Sequence, residues 1–348
     1  MRAAILILAI LIPAVASADD EAGTPSGEAA AVTSAQAARP TVGPPEPKRR
    51  ASMVGYIDDA TIDTHVRVRF DAAGGANAPD RSEFFYAQCG CNGPTAPGPG
   101  NPGAGDLVTD LRFQELNVEG QYAVKSGAVK DRLAVFATIP IRFVQPQTFL
   151  GQTLNPPQPN TFTSQSGLGD IRVGAKGGII SNDDVLLTVE VEGFFKTGDA
   201  KEGLGTNHNS LQTELLLNGR VSDRVVIEAQ FGDWHPFGGS TFVGPSIFNG
   251  QSYTGDVLFY GIGPSYEVVR TPHVRFVPVV ELVGWHVLGG LVQLPPLSSA
   301  DGTNIVNVKV GARVIFDDRS SIYAGWGTAL TDQVWYKDIV RFEYRYAF

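Results

Sequence analysis

The chain has 348 residues, a formal charge of −9, 18% charged residues and 40 glycines. A negative chain lacks the basic face that phosphate backbones require, which excludes nucleic acid as the main partner. A mean hydropathy of −0.02 excludes a bundle of membrane-spanning helices.

Residues 1–18, "MRAAILILAILIPAVASA", combine an early charge, a short apolar run and Ala16-Ser17-Ala18. That pattern predicts a cleaved secretory signal, since the apolar run is too short to span hydrocarbon. Residues 19–60 are rich in Ala, Pro, Gly, Ser and Glu and pass through "PPEPKRR". Such a composition buries too little apolar surface to order itself, so this stretch reads as a disordered tail. Residues 61–348 form the remaining domain, and there the texture becomes period-two alternation broken by turn residues.

The first alternating segment, "HVRVRF", sets Val66, Val68 and Phe70 against His65, Arg67 and Arg69. A long connector follows, near 72–111, holding "RSEFFYAQ" and the two cysteines of the chain, Cys89 and Cys91. In an oxidising compartment this pair reads as a local loop disulfide rather than a metal site, for which further ligands are missing nearby. "LNVEGQYAV" then sets Leu116, Val118 and Tyr122 against Glu115, Asn117, Glu119 and Gln121, and "LAVFATIPIRF" sets Val135, Ile139 and Phe143 against Thr138 and Arg142. "GDIRVGAKGGI", "VLLTVEVEGFFK" and "LQTELLLNGRV" place Arg172, Lys176, Glu190, Glu192, Glu214 and Arg220 opposite rows of Ile, Val and Leu. Five further segments fall near 224–234, 256–269, 273–287, 304–317 and 320–330, and the last, near 336–348, closes with "VRFEYRYAF".

Twelve segments of this length, joined alternately by short turns and by long Gly-, Pro- and Asn-rich connectors, predict an all-β fold: a transmembrane antiparallel β-barrel of about twelve strands with short periplasmic turns and long outer loops. A soluble β-sandwich shares the alternation, but its strands average only about 5–6 residues and it needs no charged interior. Trp234, Trp285, Trp326 and Trp335 fall near the long-loop ends and read as one aromatic girdle, with Tyr346 and Phe348 in the other. Pro140, Pro264 and Pro278 sit awkwardly inside central strands, because proline cannot donate to the ladder. The inward-facing candidates are Glu115, Glu119, Arg142, Arg172, Lys176, Glu190, Glu192, Glu214, Arg220, Glu228, Glu281, Lys309, Arg313, Arg341, Glu343 and Arg345. Both signs on neighbouring strands read either as a salt-bridge network that stiffens a narrow barrel or as an electrostatic filter.

No catalytic set emerges. His208 and Ser210 invite comparison with a lipid hydrolase, yet they share the parity of Gln212 and Glu214 and so point away from lipid. Asp199, Glu202 and His208 match no metal-loop spacing, and no cofactor is expected.

"GLGDIRVGAKGGI" (167–179) followed by "KTGDAKEGLGTNHNS" (196–210) resembles the outer-membrane β-barrel family labelled transporter of the phenol meta-degradation pathway (MetA-pathway type). There a "GLGD" strand start precedes a "PTGD…GLGTG" motif. Here Lys196 stands before Thr197 in place of proline, and Asn207 replaces the final glycine. The resemblance covers roughly residues 110–348. It implies an outer-membrane location, uptake of hydrophobic or aromatic compounds, and recognition of the terminal Phe348 by the barrel assembly machinery; it brings no catalytic residue. The loop residues Thr197, Gly198, Asp199, Gly203 and Gly205 would then form either a constriction over the pore or an ordinary turn. The sequence thus predicts a passive channel for a small solute in contact with outer-membrane lipid, with a closed structural or surface-interaction barrel as the main alternative and a lipid hydrolase as a remote one.

Overall fold

The computed structural model describes residues 52–77, 108–125, 127, 132–153, 156–157, 162–239, 241, 246–292 and 297–348. The signal at 1–18, the tail up to residue 51, "RSEFFYAQ" and the Cys89–Cys91 pair lie outside the described residues.

Twelve antiparallel strands form one closed wall. They are β1 (His65–Ala76), β2 (Val108–Ala123), β3 (Leu133–Phe149), β4 in two pieces (Gln165–Leu168 and Ile171–Ser181), β5 (Val185–Phe195) and β6 (Asn209–Arg220). The other six are β7 (Val225–Phe237), β8 (Val257–Tyr266), β9 (Val274–Val287), β10 (Asn304–Phe316), β11 (Ser320–Ala329) and β12 (Asp338–Ala347). Each strand pairs with its sequence neighbours, and β12 returns to β1 in a ladder running from His65↔Ala347 to Gly74↔Asp338. Closure leaves no open edge, which hydrocarbon would not tolerate.

The outward residues are apolar all the way round. Val135, Ile139, Val173, Val191, Leu215, Phe231, Ile262, Val280, Val310 and Ile322 are exposed, as are Phe342, Tyr344, Tyr346 and Phe348 on β12. In water such a surface would drive association, whereas in a bilayer it is the favourable face of a spanning barrel. At one rim the connectors are short, and Asp317 and Asp318 take positive φ (48° and 55°) as the central pair of a tight hairpin turn. The opposite rim carries the long loops.

Two of the three awkward prolines find local reasons, while Pro278 pairs with Ala312 in unbroken register with β10. Pro140 pairs with Asn117 on one side and on the other faces the break in β4, where Gly169 N donates to Pro140 O at 2.9 Å. The missing donor therefore falls at a bulge. Pro264 pairs with Ile227 across to β7, while the ladder to β9 skips the residues between Ile262 and Ser265.

Three of the four expected girdle tryptophans are not on the membrane face. Trp234, Trp285 and Trp335 are buried inside, the last two edge to face with centroids 6.2 Å apart, and only Trp326 is exposed. Parity explains this. Trp234 shares the parity of Glu228 and Gln230, and Trp285 that of Glu281, so both turn inward with the charges. Together with Leu111, Phe113, Val257, Ile305, Tyr336 and Ile339 they form an apolar layer inside the long-loop half of the barrel.

Candidate functional site: the lumen and the segment within it

The short-turn half of the lumen holds the chain's own residues 52–64. Met53, Val54, Tyr56, Ile57 and Ala60 are buried there, so the stretch assigned to the tail from Ser52 onward is ordered. Its composition differs from that of the preceding residues: four large apolar side chains in five positions supply burial that the Pro/Ala/Glu stretch lacks. From Thr64, at the rim, the segment rises past Thr188 and Lys176. It crests at Gly55–Ile57 beside Glu281, midway along β9, and returns toward the rim at Ser52 beside Glu228.

Wall carboxylates hold the segment's amides. Glu281, fully buried, accepts from Gly55 N at 3.0 Å, Tyr56 N at 2.8 Å and Ile57 N at 2.8 Å, and from the Tyr323 hydroxyl at 3.2 Å. Glu228 accepts from Ser52 Oγ at 2.9 Å, Met53 N at 3.0 Å and Val54 N at 3.3 Å, with Asn218 Nδ2 at 2.7 Å. Charge-assisted bonds of this kind are about twice as strong as neutral ones. Wall cations hold the carbonyls: Arg313 donates to Met53 O and Val54 O, Arg341 to Gly55 O, and Lys176 Nζ to Asp59 O at 2.7 Å. Thr188 and Gln121 add bonds to Ala60 O and Thr61 O.

Two of the segment's three acids, Asp59 and Asp63, meet Arg345, which binds Asp59, Thr61 Oγ at 2.7 Å and Asp63 at 2.9 Å. Burial pushes the Asp59 carboxyl upward, but the charges of Arg345 and Lys176 outweigh it and hold the group below its ordinary range. Asp63 is likewise held down against burial by Arg345 and by its hydrogen bond with His65. Tyr56 lies between two cations, Lys309 Nζ 3.8 Å and Arg341 Cζ 4.2 Å from the ring centroid. The wall makes room for the crest: a Cβ at Gly263 would lie 2.7 Å from Val54, and one at Gly55 only 2.2 Å from the Tyr323 ring.

The inward candidates separate into sets. Glu119 with Arg67, Glu115 with Arg142 (2.7 Å), Lys176 with Glu190 (3.0 Å) and Arg313 with Glu343 (2.8 Å) pair within the wall. Arg341 grips Asp71 through two bonds of 2.6 and 2.8 Å. Arg172 lies 3.8 Å from Glu192, Gln212 bonds Glu214 at 3.0 Å, and Lys309 donates to the Tyr336 hydroxyl at 2.6 Å. Arg220 is the exception. It is exposed at the end of β6, where it lines a groove of about 240 Å³ at the short-turn rim beside Met53. The sequence reading overlooked Ser52–Asp59, Asp71 and Gln230; "MVGYI" after a polar tail was the available signal.

The two loop motifs meet. Asp170, of "GLGD", accepts from Gly198 N at 3.0 Å, Thr206 N at 2.8 Å and Thr206 Oγ at 2.9 Å. Thr197 Oγ accepts from Ile171 N and donates to Gly169 O. Asp199 caps the short turn Ala200–Glu202, and Gly203 ends it at φ 75°. Gly198 and Gly205 pack backbone to backbone, where a Cβ at Gly205 would lie 2.7 Å from Gly198 O. Asn207 holds φ 62°, a left-handed conformation that Asn tolerates. His208 and Ser210 are buried on the lumen side, as their parity requires, and the His208 ring lies tilted against Trp234 with centroids 5.5 Å apart. Among the described residues no cluster of metal-ligand side chains forms.

No family model matches the sequence, and no curated protein matches it either. Among solved structures, an outer membrane channel from Pseudomonas putida F1 is 14% identical, with 85% of this chain and 99% of that chain covered and a TM-score of 0.47. The beta domain of a Bordetella autotransporter is 10% identical, covering 82% of this chain and all of its own, also at 0.47. The KdgM porin is 9% identical over 82% of this chain and 99% of its own, at 0.38.

Proposed function

We propose that the protein is an outer-membrane channel for passive passage of a small solute, stoppered in its resting form by residues 52–64. The observation that carries this reading is how Glu228 and Glu281 are satisfied. Among the described residues neither forms a salt bridge with a wall cation; backbone amides of the segment, joined by Asn218 and Tyr323, fill their oxygens. A buried carboxylate with no partner is costly, but one facing water is not. These residues are therefore served in both states, by amides when the segment is docked and by water when it leaves. A lumen filled for good would be stable with neutral, interlocking side chains.

The outer-membrane location is supported by the apolar outer wall and the exposed aromatic end of β12. Phe348 is the contact we assign to the assembly machinery. His208 and Ser210 are buried on the lumen side, away from lipid, which supports a passive role over lipid hydrolysis. The resemblance to phenol-pathway transporters would supply an aromatic or hydrophobic cargo. The filled lumen favours one second reading, a closed structural barrel.

Planar-bilayer recordings of the full chain and of a form lacking residues 52–60 separate the two. Ohmic steps in the full chain that lengthen or enlarge in the deleted form support a stoppered channel. Silence from both folded proteins leaves the structural barrel.

A further inference from the structure

We propose that a cavity between β1 and β5, in the half of the lumen beyond the segment's crest, is a binding subsite for the carboxylate of a small, partly apolar solute. The proposal rests on the channel reading and names the chemistry of what passes.

The cavity measures about 30 Å³ and is lined by Arg69, Arg142 and Arg172, by Asp71, Glu115 and Asp170, and by Phe113, Pro140, Phe194 and Ile339. A single water needs roughly 10–15 Å³, so the space admits a headgroup of a few heavy atoms. It reaches solvent, since the side chains of Arg172 and Glu115 retain 17% and 14% exposure.

The charges on its wall do not cancel in hydrogen bonds. All three acids are already engaged: Asp71 by the two-pronged Arg341, Glu115 by Arg142, and Asp170 by Gly198 and Thr206. Of the three arginines, only Arg142 has a close carboxylate partner. Arg172 donates to the neutral Asn117 Oδ1 at 2.8 Å and stays 3.8 Å from Glu192. Arg69 is 9% exposed, its Nε approaches Asp71 only to 3.5 Å, and that buried Nε makes no hydrogen bond. A guanidinium cannot shed its charge and carries five donors, so an under-bonded buried one calls for an anion. Arg69 and Arg172 flank the same residue, Asn117, the first by strand register and the second by hydrogen bond. Phe194 lies under the Arg172 guanidinium, 5.7 Å from Cζ to the ring centroid, and steadies its fork.

Planar forks match the two oxygens of a carboxylate. The apolar remainder of the lining, Phe113, Pro140, Phe194 and Ile339, suits the hydrocarbon end of a carboxylic acid better than a fully hydrated phosphate.

The test titrates ¹³C-labelled acetate into the purified full chain at low ionic strength and follows its NMR line width. Wild type should bind saturably. Arg69→Gln and Arg172→Gln should each weaken binding about tenfold or more through loss of a charge-assisted fork. Arg69→Lys should fall between, and Arg319→Gln, at an exposed turn, should bind as wild type. Heat-dependent gel migration reports whether each barrel is folded; if Arg69→Gln does not fold, Arg172→Gln and Arg69→Lys decide. No saturable binding by wild type, or equal binding by the folded fork variants, overturns the subsite. A protein that conducts without binding acetate loses the subsite and keeps the channel; one that binds but stays silent in bilayers, as does its form lacking residues 52–60, keeps the subsite and loses the channel.

Discussion

Replacing Glu281 with Ala removes the acceptor for three consecutive amides, Gly55, Tyr56 and Ile57, and for the Tyr323 hydroxyl, at a fully buried position. Each buried donor left without a partner costs about 1–3 kcal/mol. Water entering the space of the lost side chain pulls each toward the lower end, so the three amides together weaken docking by about 3 kcal/mol, or roughly 100-fold in the population of detached segment. Glu281→Gln keeps one acceptor oxygen without the charge and should cost about 1.4 kcal/mol, a tenfold change. Hydrogen exchange read by mass spectrometry measures this directly. The peptide covering residues 52–64 should exchange roughly 100-fold faster in Glu281→Ala and roughly tenfold faster in Glu281→Gln, while β2 to β5 keep wild-type protection. Unchanged exchange of 52–64 in a folded Glu281→Ala barrel would refute the reasoning. So would uniform acceleration of the whole wall, since the segment would then not detach as a unit.

Gly55→Ala drives a methyl into the Tyr323 ring from 2.2 Å and should loosen the segment by about 1–3 kcal/mol of overpacking without altering a wall residue; faster protease cleavage near residue 55 is the readout. Asp59 and Asp63 are held below the ordinary carboxylate range, so their share of docking is complete above that range and is lost as pH falls through their lowered values. Exchange of residues 58–63, corrected for intrinsic rate, should therefore rise as pH falls below about pH 4. Phe342→Arg places a charge on the lipid face of β12 and should cost about 2–4 kcal/mol of folding in bilayers, measured by denaturant titration in vesicles. Asp170→Ala frees three donors of the loop clasp and should expose residues 197–206 to proteolysis while the barrel stays folded.

The wall was legible because hydrocarbon imposes one demand on every outward position. Val340, Phe342, Tyr344, Tyr346 and Phe348 alternate with Arg341, Glu343 and Arg345, and the same period-two contrast recurs in the other strands. The charged partners in register were legible for the same reason: Glu115 faces Arg142, and Glu190 faces Lys176 across adjacent strands. The tryptophans were misjudged because position along the strand was read and parity was not. Trp285 follows Glu281 by four residues and must share its face, whereas Trp326 follows Ile322 and must share the lipid side.

The lumenal segment escaped for a different reason. Averaged over residues 19–60, "MVGYI" is diluted by Pro, Ala and Glu, and no local period marks it, because its hydrogen-bond partners lie 174 to 286 residues away along the chain. The strand register nonetheless contains a discrepancy that points to it. A salt-bridge network among the sixteen inward charges would need a cation opposite each acid, yet Glu228 and Glu281 lie in register with Gly263 and Lys309. The glycine offers no cation, and the Lys309 ammonium goes instead to the Tyr336 hydroxyl and the Tyr56 ring. Acids that the wall leaves without cations require donors from elsewhere, and an N-terminal stretch with large apolar side chains and an achiral Gly55 against Tyr323 supplies them. Glu228, opposite a glycine, and Glu281, whose in-register Lys309 is engaged elsewhere, thus mark where the N-terminal stretch is docked.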